Sequence, residues 1–248
     1  MERLILCGGG HVSLELFHIA RRLDFDLHIM DDRSEFANTQ RFPGAKLYAQ
    51  DFESALDALD ERPDDYFAVL TRGHAYDTQC VARILRRPFA YVGMIGSRRK
   101  VAHCRRSLLE MGFTEQELSA LHAPIGLALG GQTPAEIAVS IAAELVQVRA
   151  ARGAVPITPP AGRGMLVTIT EKRGSAPRGP GACMLVSPDG SCTGTIGGGM
   201  LEFRAAAMAG ELLAAGVPLA HHTFDLSHDP AGADMICGGV ITVEFKMQ

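Results

Sequence analysis

The 248-residue sequence predicts an α/β chain, with a parallel-sheet domain followed by a smaller α+β domain. Three observations carry this prediction. Short apolar runs alternate with helical periodicities up to residue 151, a proline-rich stretch interrupts the pattern, and hairpin-like strands follow it. Glycine marks the same division, because 11 of its 27 residues lie in the first 150 positions and 16 in the remainder.

The first predicted domain, residues 1–151, is built from strands that alternate with helices. The apolar runs are Arg3–Cys7, Leu27–Met30, Tyr66–Leu70 and Ala90–Ile95, and the helical patterns are His11–Leu23, Phe52–Asp60, Ala75–Arg86 and Ser97–Met111. Such alternation predicts a parallel sheet covered by helices on both faces. A long helix over Pro134–Ala150 ends the domain, because Thr133 and Glu136 form a capping box there.

Residues 152–163 read as a proline- and glycine-rich linker, and residues 164–248 as the second domain. Its one predicted helix covers about Leu201–Ala215. Its predicted strands are Gly164–Thr170, Ala182–Ser187, Ser191–Ile196, Leu219–Phe224 and Val240–Lys246. Asp189-Gly190, between the second and third of these strands, predicts a hairpin.

The composition excludes several classes of protein. Charged residues make up 21% and hydrophobic residues 47%, which is ordinary for a globular chain. The net charge of -4 argues against a nucleic-acid-binding body. The longest apolar runs are strand-sized, so we expect no membrane span, and the first of them is too short for a signal peptide. We therefore expect a cytoplasmic protein with reduced cysteines.

A glycine-rich turn, Gly8-Gly9-Gly10-His11, joins the first predicted strand to the first helix. In Rossmann folds such a turn brings the backbone close to a pyrophosphate at the helix N-terminus. Asp31 and Asp32 end the second strand, where an acid can bind ribose hydroxyls, and Arg33 could instead meet a 2′-phosphate. Ser13 replaces the third glycine of the usual fingerprint. Two interpretations stay open: NAD(P) binds here, or the glycines serve only the turn.

A basic segment follows the strand that ends near residue 95. Ser97 can cap the next helix, and the first turn of that helix holds Arg98, Arg99 and Lys100. The helix macrodipole disfavours cations at this end, so an anion shared by the amides and these side chains would offset the cost. A solvated basic face is the alternative.

Two glycine-rich loops in the second domain are candidates for an anionic ligand. The loop Arg173–Gly181 contains Ser175 and Arg178, a hydroxyl and a fork-shaped donor suited to phosphate. The loop Gly194–Glu202 contains Gly197-Gly198-Gly199 before a helix, and consecutive glycines expose backbone amides. Tight-turn chemistry in a small domain is the alternative.

Cys237 precedes two glycines near the C-terminus, so its thiol has little crowding on that side. Neighbouring amides can stabilise a thiolate in such a position. A soft thiolate suits a soft metal or a sulfur-transfer step. The alternative is a small buried hydrophobe.

Together these segments resemble the XdhC/CoxI family, the xanthine dehydrogenase accessory proteins that handle molybdenum cofactor. The first domain resembles the family's Rossmann domain in Gly8–Val12, Asp31–Arg33, Arg41–Pro43, Thr71–His74, Tyr91–Lys100, Pro124–Leu127 and Thr133–Ile141. The second resembles the CoxI-type domain in Gly174–Arg178, Gly194–Glu202 and Cys237–Gly239. The two domains stand in the reverse of the family's usual order.

The resemblance implies a cofactor chaperone rather than a turnover enzyme. Such proteins bind a molybdopterin-type cofactor, protect it during sulfuration by a cysteine desulfurase, and deliver it to a xanthine dehydrogenase-type apoenzyme. The pterin phosphate would then meet Ser175, Arg178 and the Gly197–Gly199 loop with Glu202, while Cys237 would contact the metal or relay sulfur.

Two other functions remain open at this point, an NAD(P)-dependent oxidoreductase and a non-catalytic nucleotide sensor. The four tyrosines form no Tyr-x-x-x-Lys motif, which weakens the first of these. The reversed domain order is also consistent with a homodimer in which domains are exchanged.

Overall fold

The computed structural model describes residues 2–152, 159–226 and 238–248. The chain divides into two compact units, Met1–Arg152 (unit 1) and Gly153–Gln248 (unit 2). Most of the predicted linker, residues 153–158, lies outside the described residues. Over the three described ranges, no helix combines the length and apolar character needed to cross a membrane.

Unit 1 is a parallel sheet with helices on both faces, which confirms the predicted fold class. Its strands are β1 (Arg3–Cys7), β2 (Asp26–Met30), β3 (Lys46–Tyr48), β4 (Tyr66–Val69), β5 (Tyr91–Met94) and β6 (Leu121–His122). Its helices are α1 (His11–Ala20), α2 (Phe52–Asp57), α3 (His74–Ile84), α4 (Arg98–Glu110), α5 (Glu115–Leu118) and α6 (Pro134–Ala151). The strand order β3-β2-β1-β4-β5-β6 changes direction between β1 and β4, where doubly wound sheets bind ligands.

Several boundaries differ from the sequence-based prediction. The helix predicted over residues 11–23 ends at Ala20 and continues as a 3-10 turn, Arg21–Leu23, before Asp24 adopts a left-handed conformation (φ 57°). The helix predicted over residues 52–60 ends at Asp57. The sequence did not predict β3, α5 or β6, because elements of two to four residues are too short to display a periodicity.

The strands of unit 1 are buried on both faces. In β1, Ile5 and Cys7 pack toward α2, α3 and α4, whereas Leu4 and Leu6 pack toward α1 and α6. Successive side chains of a strand point to opposite faces, so covering both faces requires a continuous apolar run.

A buried carboxylate ties α6 to the sheet. Glu144 accepts hydrogen bonds from the Tyr91 hydroxyl (2.5 Å) and the Gly126 amide (2.8 Å), and its other oxygen lies 3.0 Å from Nδ1 of His122. Burial raises the pKa of Tyr91, and the hydrogen bond to Glu144 raises it further. The cluster thus satisfies polar groups that would otherwise be buried without partners.

Unit 2 is an antiparallel sheet with one described helix. Its elements are β7 (Met165–Arg173), β8 (Cys183–Val186), β9 (Cys192–Gly194), α7 (Gly199–Ala214), β10 (Leu219–Asp225) and β11 (Val240–Met247). The strand order is β10-β11-β7-β8-β9. The hairpin predicted at Asp189-Gly190 is confirmed, because β8 and β9 pair antiparallel around it and Gly190 has a positive φ of 82°. A smaller α+β unit after the parallel sheet is therefore confirmed.

Candidate functional site

The glycine turn after β1 is shaped mainly by its own neighbours. Gly8 has a φ of +114°, and a Cβ there would lie 2.4 Å from the carbonyl oxygen of Leu70. A Cβ on Gly9 would lie 2.4 Å from the carbonyl oxygen of Phe36, whereas nothing lies within 4 Å of a Cβ on Gly10. Close packing therefore requires the first two glycines, and Gly10 alone borders open space.

Ser13 replaces the third glycine of the fingerprint without disturbing the turn. Its side chain is completely buried, and its hydroxyl donates a hydrogen bond to the carbonyl oxygen of Gly8 at 2.5 Å. His11 begins α1 and is exposed. The departure from the fingerprint thus strengthens the turn itself.

Asp31 faces the glycine turn and not the solvent. Its carboxylate accepts from the Gly9 amide (2.8 Å) and from the Arg33 guanidinium, through Nε (2.9 Å) and Nη2 (3.1 Å). Burial alone would raise the pKa of Asp31, but the hydrogen bonds from Arg33 and Gly9 outweigh it and lower that pKa. Arg33, which also lies 3.6 Å over the Phe36 ring, occupies the oxygens that a ribose would need.

Asp32 pairs with an arginine that lies beyond the end of another strand of the sheet. The Arg72 guanidinium donates to both of its oxygens, at 2.9 and 2.7 Å. These residues follow β2 and β4, which flank β1, so the pair spans the end of β1 where the glycine turn begins. Both side chains keep contact with solvent, with exposed fractions of 24% for Asp32 and 41% for Arg72.

The three cations at the start of α4 differ in their surroundings. The Ser97 hydroxyl accepts from the Lys100 amide at 3.3 Å, which confirms the predicted cap. Lys100 forms an ion pair with buried Asp77, whereas Arg98 and Arg99 are exposed. Within this segment, the two arginines are the cations that remain accessible to an external anion.

Three glycine-rich segments of unit 2 meet at one end of its sheet. A Cβ on Gly239 would lie 2.2 Å from the carbonyl oxygen of Ser175, and one on Gly197 would lie 2.7 Å from Cβ of Pro177. The segments before β11, after β7 and before α7 therefore touch one another, and we call their meeting place the loop junction. Cys237, the residue before Gly238 in the sequence, lies outside the described residues.

The loop before α7 is braced by a carboxylate of that helix. Glu202 accepts from the Thr195 hydroxyl (2.5 Å) and from the amides of Gly198 (3.0 Å) and Ile196 (3.1 Å). Burial would raise the pKa of Glu202, but these hydrogen bonds outweigh it and lower that pKa. Two amides that could have met a ligand thus point at Glu202.

The remaining polar groups of the loop junction are open to solvent. Ser175 and Arg178 are both exposed. Sequence reasoning did not single out Lys172, whose Nζ donates to the carbonyl oxygen of Ala176 at 3.1 Å and adds a third cation beside Arg173 and Arg178. Its position three residues before Ser175, in a basic and glycine-rich stretch, was the available signal. The junction can therefore bind an anion through side chains better than through loop amides.

The role of Glu202 gives a pH-dependence prediction. Because its pKa is lowered in the folded state, its stabilisation is complete above the pKa of an unfolded glutamate, about 4.3, and is lost as the pH falls through the folded value. We expect the thermal stability of unit 2 to fall less between about pH 5 and pH 2 in Glu202→Gln than in the parent chain, because this window spans the unfolded pKa and the lower folded one. Glu171→Gln, which changes an exposed glutamate of β7, should behave like the parent.

This prediction can be measured by circular dichroism. All four tyrosines lie in unit 1, so a transition that tyrosine fluorescence does not follow belongs to unit 2. Equal acid sensitivity of the parent and Glu202→Gln would contradict the bracing role.

These features define a two-domain α/β protein with a Rossmann-type unit and a glycine-rich antiparallel unit. A family model described as the XdhC Rossmann domain matches residues 4–145, and one described as the XdhC and CoxI family matches residues 161–225. The chain belongs to the XdhC and CoxI family, and its Rossmann domain comes first, as the sequence predicted.

Relatives resemble the chain over part of their length. The uncharacterized protein YqeB of Escherichia coli (strain K12) is 38% identical over 149 residues, which cover 59% of this chain and 27% of the relative. A probable xanthine dehydrogenase subunit of Bacillus subtilis (strain 168) is 30% identical over 148 residues, 59% of this chain and 43% of the relative. The chain spans less than half of each of these two curated relatives.

A solved structure also resembles the chain over part of its length. A crystal structure described as a xanthine dehydrogenase from Bacillus halodurans matches with a TM-score of 0.54 and 30% identity. The match covers 61% of this chain and 44% of that one.

Proposed function

We propose that the chain is an accessory protein that binds molybdenum cofactor and delivers it to a xanthine dehydrogenase-type enzyme, and is not itself a turnover enzyme. The family and the names of the two Bacillus relatives support the association with xanthine dehydrogenase. The loop junction is the observation that carries the cofactor-binding part, because it gathers the glycine-rich segments of unit 2 at one place.

The loop junction suits a pterin that carries a phosphate. Arg178 supplies a guanidinium group that can donate two hydrogen bonds to a phosphate, Ser175 supplies a hydroxyl, and both side chains are exposed. A Cβ on Gly198 or Gly199 would meet nothing within 4 Å, so a ligand can approach this backbone closely. Cys237 would contact the metal or relay sulfur, and this part of the proposal rests on the sequence.

The partners of such a protein follow from its task. The cofactor would be received and released within the cell, with a cysteine desulfurase supplying sulfur and a xanthine dehydrogenase-type apoenzyme receiving the product. Cys7, Cys80, Cys104, Cys183 and Cys192 are free thiols, which is compatible with a reducing cytoplasm.

The geometry of unit 1 favours this proposal over an NAD(P)-dependent oxidoreductase. A dinucleotide ribose would need the carboxylate oxygens of Asp31, which Arg33 and the Gly9 amide already engage. Binding in that mode would have to displace a charge-assisted pair in which only the carboxylate is buried, at a cost that a conventional dinucleotide site does not carry.

The decisive experiment is to purify the full chain from molybdenum-replete cells and identify released ligands by mass spectrometry. The proposal expects a pterin, together with activation of a xanthine dehydrogenase-type apoenzyme by the loaded protein. Absence of both would refute it. A nucleotide in place of the pterin would favour a nucleotide-sensing protein.

Arg178→Ala should weaken binding of the pterin by about 10- to 100-fold. A charge-assisted hydrogen bond contributes about 1.5–3 kcal/mol, and each 1.4 kcal/mol is a factor of ten. The measurement is the dissociation constant for isolated molybdopterin. Arg163→Ala is the matched control, because Arg163 is also an exposed arginine of unit 2 but precedes β7 instead of following it. Equal affinity of both variants would contradict the assignment of the phosphate to the loop junction.

A further inference from the structure

The outer side of helix α4 is basic. Cys104 and Leu108 pack from its inner side into the core of unit 1. Arg98, Arg99 and Arg106 lie outside this contact and are exposed to solvent. Arg99 and Arg106 are seven residues apart, which is two turns of an α-helix, so their side chains leave the same side of α4 about 10.5 Å apart along its axis. We call the surface formed by the three arginines the α4 basic face.

The arginines of the α4 basic face differ from most others in unit 1, because they have no partner in the described part of the chain. Arg83, for example, forms an ion pair with Asp57 at 2.5 Å. Four arginines of unit 1 form no ion pair, hydrogen bond or ring contact with any described residue: Arg22, Arg98, Arg99 and Arg106. Three of these four therefore belong to one face of one helix.

Two of these arginines stand where the helix itself disfavours them. Arg98 and Arg99 begin the first turn of α4, and this turn contains no acidic residue. The helix macrodipole places positive partial charge at the same end, so it repels both guanidinium groups. No carboxylate among the described residues lies within ion-pair distance of either arginine. An anion from outside the chain would offset this unfavourable interaction.

We propose that the α4 basic face binds an acidic segment of a partner protein. One phosphate group bound at the first turn would leave Arg106 unused, so the spacing of the arginines favours a ligand with several negative charges spread over about two helical turns. Guanidinium groups match carboxylates in a two-point hydrogen-bonding geometry. Exposed Ala102 and Leu109 border the arginines, and arginine beside apolar side chains is typical of protein interfaces.

Charges elsewhere in the chain favour a short acidic segment over a larger polyanion. A nucleic acid or an anionic membrane carries negative charge well beyond the α4 basic face, and the net charge of -4 opposes its approach. Glu110 is exposed four residues after Arg106, so it places a negative charge at the end of the same side of α4. A short segment can lie over the three arginines alone. Binding there would not require the cofactor, whose proposed site lies in unit 2.

Fluorescence anisotropy of a fluorescein-labelled peptide of ten glutamates, titrated with the full chain, tests the proposal. The parent should bind the peptide at low ionic strength, and salt should weaken the binding because the contacts are exposed. Arg99→Glu/Arg106→Glu replaces two attractions by two repulsions and should raise the dissociation constant at least about tenfold. Arg22→Glu/Arg163→Glu is the matched control, because it changes the net charge equally, but Arg22 follows α1 on the other face of the sheet and Arg163 lies in unit 2. Its affinity should stay within about twofold of the parent's.

Several outcomes would overturn the proposal. If the parent does not bind the peptide, or if the α4 double variant binds it equally well, the α4 basic face is only a solvated surface. A short DNA duplex and phosphatidylserine vesicles are the competing probes. Tighter binding of either one than of the peptide, lost in the α4 double variant, would assign the face to a nucleic acid or a membrane. Displacement of the peptide by inorganic phosphate, but not by sodium chloride of equal ionic strength, would indicate a site for a single anion.

A second measurement separates a binding role of Arg99 from a structural one. If Arg99 serves a partner and not the helix, Arg99→Glu should raise the melting temperature of unit 1 by about 1–4 °C, because an acidic residue suits the first turn of a helix. Tyrosine fluorescence follows this transition, because all four tyrosines lie in unit 1. A fall in the melting temperature would show that Arg99 stabilises the fold and would contradict the proposal.

Discussion

Replacing Asp65 with alanine should lower the free energy of unfolding of unit 1 by about 3–5 kcal/mol. Asp65 is completely buried and accepts two hydrogen bonds from Arg3, at 2.7 and 2.6 Å. Arg3 is itself 2% exposed, and its pKa is raised chiefly by the hydrogen bonds to Asp65. Removing the Asp65 carboxylate would leave the Arg3 guanidinium buried and without its main partner.

A control for this prediction exists on the same arginine. Asp60 also pairs with Arg3, but its side chain is 63% exposed, so Asp60→Ala should cost much less stability. Urea denaturation followed by tyrosine fluorescence measures unit 1 alone, because all four tyrosines lie in it and the chain has no tryptophan. Equal losses of unfolding free energy in Asp65→Ala and Asp60→Ala would contradict the argument that burial makes the Asp65 interaction the stronger one.

The order of elements in unit 1 was predictable because a strand that is buried on both faces needs a continuous apolar run in the sequence. Segments such as Leu4–Cys7 and Phe67–Val69 are apolar on both faces, which is typical of strands in a sheet covered on two sides. The capping box at Thr133 and Glu136 fixed the start of α6 for an equally local reason. Edge strands such as β6 show no such apolar run.

The use of each charged side chain was less predictable. Asp31 follows a strand, Lys100 stands in a basic segment and Glu202 follows a glycine-rich loop. At each of these positions either a ligand or the protein itself can satisfy the charge. The structure shows the protein doing so in each case, through Arg33, Asp77 and the loop amides before α7. Spacing along the chain does not report which way a side chain turns.

The contacts at the loop junction were also not predictable from the sequence. Each glycine-rich segment could be recognised separately, but their contact depends on β11 pairing with β7, two strands far apart in the sequence. This pairing brings Gly239 against Ser175. Neither glycine content nor local periodicity encodes that neighbour relation.

Gly8→Ala should destabilise unit 1 by about 3 kcal/mol or more. The left-handed φ of +114° would strain an alanine by roughly 1–3 kcal/mol, and overlap with the Leu70 carbonyl would add about 1–3 kcal/mol. Gly10→Ala should cost less than about 1 kcal/mol, because Gly10 has an ordinary φ of -68° and open space around it. Denaturation followed by tyrosine fluorescence compares the two variants, and similar losses would contradict the packing argument.

The same pair of variants separates the two interpretations of the glycine turn. If the glycines serve only the turn, Gly10→Ala should keep both its stability and every ligand that the parent binds. If a nucleotide phosphate approaches the start of α1, an added methyl group at Gly10 should weaken NADH binding while the fold stays intact, because close backbone approach is what a glycine there permits. Titration of NADH against the parent and Gly10→Ala therefore tests a ligand role that stability measurements on Gly8 cannot reveal.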